Sequence, residues 1–311
     1  MGALSGRNKP LRRCRLVSVH RVSTSGPILA LDIGGTKLAA GLVDEAGALR
    51  SKRSVPTPRT DDADELFTTL VTLAEAVSAN QPLVACGVGC GGPMVGGGER
   101  VSPLNIAAWR DFPLRPRLAA ATGLPTFVDN DAKALALAEG WRGAAAGCAN
   151  YLAMVVSTGI GAGIVLDGRL LDGEAGNAGH LGHMIVIPDG RRCQCGANGC
   201  LEAEASGTAI AAVTGRPTAA APPEIVVRTG RLVGQAVASA ANLLDLRLAV
   251  VGGSVALGFG RPFFAAAQAE LDRSARLAFS AGARIVSAGL GANGPLLGAA
   301  AVGRRGLGAL G

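Results

Sequence analysis

The stretch Ile28-Leu29-Ala30-Leu31-Asp32-Ile33-Gly34-Gly35-Thr36-Lys37-Leu38-Ala39-Ala40-Gly41-Leu42-Val43 decides the reading of the fold. Ile28–Asp32 and Leu38–Val43 are short apolar runs of the kind that form buried strands. Only a Gly-Gly-Thr-Lys turn separates them, so the spacing predicts a hairpin and not the strand-to-helix step of a dinucleotide-binding unit. A further turn is expected at Asp44-Glu45-Ala46-Gly47.

Helical and strand patterns alternate from there. Asp61 and Asp62 can cap a helix whose Leu66, Leu70, Leu73 and Val77 share one face. A strand is predicted over Leu83–Val88, a helix over 115–122, a strand over Thr126–Val128 and a helix over 132–141. The pattern then restarts: Tyr151–Val156, a turn from Thr158 to Gly163, and Ile164–Asp167 repeat the opening element. A helix at 231–244, a strand at Leu248–Val251, a helix near 262–279, a strand at Arg284–Val286 and an Ala-rich helix near 295–302 complete the chain. Two halves that open alike imply an α/β fold of duplicated architecture with a cleft between two lobes.

Gly34-Gly35-Thr36-Lys37 lets backbone N–H groups approach phosphate oxygens, with a hydroxyl and a cation beside them. The turn Thr158-Gly159-Ile160-Gly161 stands at the corresponding place in the second half, and Gly252-Gly253-Ser254 follows a later strand. No Gly-x-x-x-x-Gly-Lys-Ser/Thr loop is present, and Gly159–Gly163 lacks the Gly-x-Gly-x-x-Gly spacing, so neither a P-loop nor an NAD site is indicated. Asp129-Asn130-Asp131 ends a strand and opens a helix. Asn130 or Asp131 can cap that helix; equally, Asp131 can serve as general base for a hydroxyl nucleophile.

Three of the seven cysteines crowd into Cys193-Gln194-Cys195-Gly196-Ala197-Asn198-Gly199-Cys200, ten residues after His183. Three thiols and an imidazole form a closed tetrahedral donor set for structural zinc, leaving no open position for a catalytic water. An odd cysteine count with this clustering speaks against a disulfide framework and for a reducing compartment.

Composition narrows the rest. The chain is 49% apolar with only ten aromatic residues among 311, so its core is aliphatic and not that of a disordered chain. Its net charge of +7 is misleading: six of 30 basic residues, and no acid, lie in residues 1–26, leaving 24 against 23 acidic residues beyond. A nucleic-acid face is not expected. No apolar run of membrane-spanning length and no secretory apolar core is found, so a cytoplasmic protein with a basic, unstructured tail over 1–26 is expected.

Leu31-Asp32-Ile33-Gly34-Gly35-Thr36-Lys37, Asn130-Asp131, Ser157–Gly161 and Gly182-His183…Cys193–Glu202 together resemble the ROK family of sugar kinases and sugar-responsive repressors. The resemblance, from about residue 28 to 302, implies the two-lobed actin-like fold of hexokinase and ribonuclease H type, with a structural zinc loop. It divides the chain into a small lobe over 27–131, a large lobe over 132–293 with the loop 180–202, and a final helix, about 294–311, packed back on the first lobe. ATP is then held between the lobes, with Gly34, Gly35, Thr36, Lys37, Thr158, Gly159 and Gly161 at its phosphates and Gly252 and Gly253 near the adenosine. Asp32 positions Mg²⁺, Asp131 is the base for the sugar 6-hydroxyl, and Asn105, Asn130, His180, His183 and Glu202 line the sugar site. Zinc takes His183, Cys193, Cys195 and Cys200. A homodimer is implied, with no nucleic-acid or membrane partner.

This chain departs from the family pattern at His180, where most members carry Glu. His180-Leu181-Gly182-His183 is similar to the arrangement in some members acting on N-acetylmannosamine. A neutral imidazole offers one donor and one acceptor where a carboxylate only accepts, which suits an N-acyl carbonyl; an ordinary hexose held by the acceptor nitrogen is the other reading. Lys133 replaces a usual Asn, which draws attention to the contacts around Asp131. The stretch between Ser206-Gly207 and helix 231–244 is short, so a reduced nucleotide pocket is expected on that side. A kinase of a hexose or N-acetylhexosamine is the leading expectation. The alternatives are a sugar-responsive regulator, for which the expected tail over 1–26 is too short to hold a DNA-binding module, and a non-catalytic sugar-binding protein.

Overall fold

The computed structural model describes residues 24–78 and 81–310; all but the last three residues of the expected basic tail lie outside them. The first half contains β1 (Ile28–Ile33), β2 (Lys37–Val43), β3 (Leu49–Pro56), α1 (Ala63–Ser78), β4 (Ala85–Cys90), the short hairpin β5 (Met94–Val95) and β6 (Arg100–Val101), α2 (Leu114–Thr122) and β7 (Thr126–Asn130). Next come α3 (Asp131–Arg142), β8 (Tyr151–Val156), β9 (Ile160–Leu166), β10 (Arg169–Leu170), α4 (Leu201–Ala205) and α5 (Gly207–Thr214). The chain closes with α6 (Pro223–Leu244), β11 (Leu248–Gly252), α7 (Ser254–Phe259), α8 (Arg261–Ser274), β12 (Arg284–Ser287) and α9 (Gly294–Gly306).

The two halves build two mixed five-stranded sheets of the same design. The first is ordered β3-β2-β1-β4-β7 and the second β10-β9-β8-β11-β12. In each, the opening strand pairs antiparallel with its hairpin partner and parallel with the strand that follows a crossover. β1 and β4 are buried along almost their whole length, because the sheet is covered on both faces and its central strands need continuous apolar sequence. α1 is capped by Asp62, whose Oδ1 accepts the Asp64 and Glu65 N–H groups at 2.8 and 3.3 Å. The helix lays Leu66, Leu70, Leu73 and Val77 on the sheet.

α3 and α9 pack against each other between the sheets, α3 against β8 and β9 and α9 against β1, β4 and β7. Gly87 in β4 makes the second contact possible. A Cβ there would stand 2.0 Å from the carbonyl oxygen of Ala299, so only glycine lets α9 approach the sheet this closely. On the outer side of the second sheet, α6 packs along α8.

Several expectations are corrected. β3 was not anticipated: it reads Leu-Arg-Ser-Lys-Arg-Ser-Val-Pro, mostly exposed, because it is an edge strand kept polar and basic on its solvent side. β9 begins at Ile160, not at Ile164, so the second glycine turn is confined to Ser157–Gly159 and Gly161 lies within the strand. The helix expected at 231–244 starts eight residues earlier, with Pro223 at its first position. The one expected near 262–279 is α8, which ends at Ser274, and the short α7 before it, across Gly260, was not anticipated. Residues 207–220 hold the short α5 and a 3₁₀ turn. Among the described residues, no helix is long and apolar enough to cross a membrane.

Candidate active site

The parallel strands of both sheets point their carboxyl ends at one cleft of about 640 Å³. In such sheets the loops at these ends are where ligands bind. From the first sheet come Asp32 and the turn Gly34–Lys37 after β1, Gly91-Gly92 after β4, and Asn130-Asp131 after β7. From the second come Ser157–Gly159 after β8, Gly252–Ser254 after β11, and Ala288 after β12. Asn105, Gly161, His180, His183 and Glu202 line the same cleft. Every residue that the sequence put forward for sugar or nucleotide therefore lines this one cleft. Gly35 is required there sterically: a Cβ would meet the backbone carbonyl of Asn105 at 2.8 Å.

Asp32 and Asp131 face this cavity together. Burial, then the nearby Asp131 carboxylate, raise the Asp32 carboxyl from 3.8 to about 7, and Lys37 offsets only part of this. Asp131 opens onto the cleft but is otherwise enclosed by protein, which lifts its carboxyl above the ordinary range. The Ala132 and Asp131 backbone N–H groups and His180 oppose that rise, while Glu202 adds to it. Asn130 is the cap of α3: its Oδ1 accepts the Ala132 N–H at 3.0 Å. One oxygen of Asp131 receives the same N–H at 2.8 Å, which leaves the other for a ligand. Lys133 does not reach Asp131 at all; it turns to Asp129 and Asp172.

On the opposite wall, Glu202 Oε2 accepts the Ile160 N–H at 2.7 Å, tying the start of α4 to the second glycine turn. The Gly207 N–H and Thr208 Oγ1 donate to the carbonyls of Ser157 and Thr158 at 2.7 and 3.0 Å, so three bonds hold that turn in place. His180 places Nδ1 2.7 Å from the carbonyl oxygen of Asn177. A carbonyl only accepts, so Nδ1 carries a proton; in the neutral ring Nε2 is then an acceptor. Of the two readings of His180, that tautomer is the one that meets a sugar through an acceptor nitrogen.

The cysteine loop folds into a knuckle through the bonds Gly196 N–H to Cys193 and Cys193 N–H to Ala197, at 3.0 and 2.8 Å. It brings Cys193 Sγ to 3.6 Å from His183 Nδ1 and Cys195 Sγ to 3.7 Å from Cys200 Sγ. The four donor atoms lie within 4.8 Å of one another. Ligands bound tetrahedrally to zinc stand roughly 3.5–3.8 Å apart, so the shorter spacings fit such an ion. Burial and the neighbouring Cys195 and Cys193 push the Cys200 thiol up to about 12; a bound cation is what would bring these sulfurs to thiolate. Beneath the knuckle, the buried Glu204 joins Arg191 and Arg228 at 2.8 and 2.6 Å.

Against this geometry, comparison with known proteins gives a consistent result. The ROK family model matches residues 28–305. The chain belongs to the ROK family. An N-acetylmannosamine kinase of Citrobacter koseri is 40% identical over 247 residues, covering 75% of this chain and 84% of that protein. Among solved structures, a ROK family glucokinase from Streptomyces griseus, in complex with glucose and AMPPNP, aligns with a TM-score of 0.79 at 30% identity. It covers 90% of this chain and all of the other. A ROK hexokinase from Thermus thermophilus gives 0.78 at 37% identity, covering 90% and 98% of the two chains.

The cleft of this ROK chain also contains residues that sequence reasoning passed over. Glu139, fully buried in α3, accepts the N–H groups of Ala144 at 2.7 Å, Gly289 at 3.1 Å and Leu290 at 3.2 Å, and so shapes the loop after β12. Leu257, Ala288, Ala292 and Pro295 line the wall nearby. The only signal for that loop was the glycine content of Gly289–Gly294. Ser254 bonds Ser157 across the two turns at 2.8 Å.

Proposed function

We propose that this protein is an ATP-dependent sugar kinase transferring the γ-phosphate to the 6-hydroxyl of a hexose or N-acetylhexosamine. N-acetylmannosamine and glucose are the foremost substrates in this reading, and the fold is of the two-lobed actin-like, hexokinase type. The observation that carries it is Asp131: a carboxylate at the start of α3, open to the cleft and faced by two glycine turns, one from each half. A sugar-responsive regulator is not favoured, since these parts serve transfer and binding alone does not need them.

Asp131 accepts the proton of the 6-hydroxyl as its oxygen attacks the γ-phosphorus, and its raised carboxyl is poised for that exchange. Asn105, Asn130 and Glu202 hold other sugar hydroxyls. His180 Nε2 accepts a hydrogen bond, from a hydroxyl in a hexose or from the acetamido N–H in an N-acetylhexosamine. The turns Gly34–Lys37 and Thr158–Gly161, with the Lys37 ammonium, face the phosphates, and Gly252 and Gly253 border the adenosine. Positioning and charge neutralisation then supply most of the rate. Mg²⁺, when bound, neutralises phosphate charge. Asp32 fits it as a hard oxygen donor, its carboxyl being held near 7 beside Asp131 with too little positive charge around it. Zinc at His183, Cys193, Cys195 and Cys200 is structural and braces the segment that carries His180 and Glu202.

The test is ADP release, by a coupled assay, over glucose, mannose, N-acetylglucosamine and N-acetylmannosamine, with wild type and Asp131→Asn. Turnover on at least one sugar that falls by about 10³-fold or more in the variant is expected. Absence of turnover on all four, or an unimpaired variant, refutes the reading.

A further inference from the structure

We propose that Lys133 and Asp172 form a positioning pair that fixes the tautomer of His180 and so determines which nitrogen meets the sugar; the sugar contact rests on the kinase reading above. Lys133 lies in the first turn of α3, two residues beyond Asp131, and is 2% exposed. Its ammonium reaches Asp172 Oδ1 at 2.9 Å, the carbonyl oxygen of Gly176 at 3.1 Å and Asp129 Oδ1 at 3.1 Å. Three acceptors for three N–H donors is what a buried lysine needs to remain charged. The second oxygen of Asp172 binds Arg305 Nη2 of α9 at 2.5 Å.

The segment 172–176 is thereby fastened to α3 at both of its ends and to α9 at the first. It leads directly to the residue that orients His180. The Ala178 N–H donates to the Asp172 carbonyl at 2.9 Å, closing the loop on itself. Asn177, adjacent to Gly176, presents its own carbonyl to His180 Nδ1 at 2.7 Å, while its Nδ2 donates to the carbonyl of Met94 in β5 at 3.3 Å. The carbonyl that decides the tautomer is therefore one residue from a carbonyl that Lys133 holds. His180 Nε2 then looks toward Gly92 and the Asn130 amide: a Cβ on Gly92 would stand 3.5 Å from Asn130 Nδ2 and 3.8 Å from Nε2. With Nδ1–H fixed, Nε2 accepts from the sugar. Once the loop is released, the proton can move to Nε2 and the acceptor is lost.

Asp172 is the place to test this, because its side chain is 45% exposed and Lys133 keeps Asp129 when it is removed. In ¹⁵N spectra of the whole protein, which contains three histidines, the His180 ring is assigned by its loss in His180→Gln. Wild type is expected to show the Nδ1–H tautomer, and Asp172→Ala a mixture of the two. The KM for the preferred sugar should rise about ten-fold in Asp172→Ala, the net worth of one hydrogen bond, with KM for ATP and kcat within two-fold. Asp172→Asn, which can still accept from Lys133, should restore most of both signals. An unchanged tautomer and sugar KM in Asp172→Ala overturn the proposal, as does an equal rise in the KM of sugar and ATP. If wild type phosphorylates no sugar, the kinase reading fails, and the tautomer comparison alone decides the role of the pair.

Discussion

Replacing Asp32 by Asn should make the ligand-free protein more stable and the enzyme inactive. Burial and the Asp131 carboxylate hold the Asp32 carboxyl near 7 in the folded protein, against an ordinary 3.8. A carboxylic acid with a raised value binds more protons folded than unfolded, so its contribution to stability falls as pH rises from about 4 through 7. At about 1.36 kcal/mol per pH unit, that gap sets a ceiling of about 4 kcal/mol. Asp32 is partly open to the cleft, and solvent screening halves this to about 2 kcal/mol. Asp32→Asn removes the charge, so at pH 8.5 it should melt roughly 4 °C above wild type, while the two coincide near pH 4. Thermal and urea unfolding across that range, without nucleotide or metal, measure the difference. Turnover in the variant should fall by about 10²-fold or more, because the oxygen donor for the metal is weakened. A stability gain that is absent, or equal at pH 4 and pH 8.5, would refute the idea that the paired carboxylates are held against the folding equilibrium.

Three further outcomes are expected. The acid limb of the kcat/KM profile should lie above the ordinary aspartate range, since Asp131 must be deprotonated to act and its carboxyl is raised; activity is gained as pH rises through that value, and the limb should vanish in Asp131→Asn. Chelation, or Cys195→Ser, should release about one zinc per chain by elemental analysis and lower melting temperature and activity together, because the four donors close one site. Glu204→Gln should cost about 3 kcal/mol in urea unfolding, as it leaves Arg191 and Arg228 without their buried partner. Against a burial penalty, bonds from Arg191 and Arg228 hold Glu204 below the usual glutamate range; its contribution should be present above pH 4.5 and lost as pH falls toward that lowered value.

What the sequence by itself determined was whatever depends on near neighbours. Apolar runs flanked by glycine turns announced β1, β2 and β8, because a strand covered on both faces must be apolar at each position. Asp62 announced the start of α1, since a cap bonds N–H groups two and three residues away. The cysteine spacing announced a donor set, since one short loop supplies three of its four members. β3 was hidden because an edge strand has no reason to be apolar, and the early start of α6 because its first two turns are mostly exposed or half-exposed.

Only the tertiary structure decided the rest. Asp32 and Asp131 lie 99 residues apart in the chain and meet only because β1, β4 and β7 end at one edge. Glu139 found its N–H donors some 150 residues away, in a loop with no pattern of its own. His180 announced an imidazole, but which nitrogen holds the proton depends on the Asn177 carbonyl, and that on a lysine in another element. Local sequence sets backbone preference; the direction in which a polar atom points is set by whatever the fold carries to it from a distance.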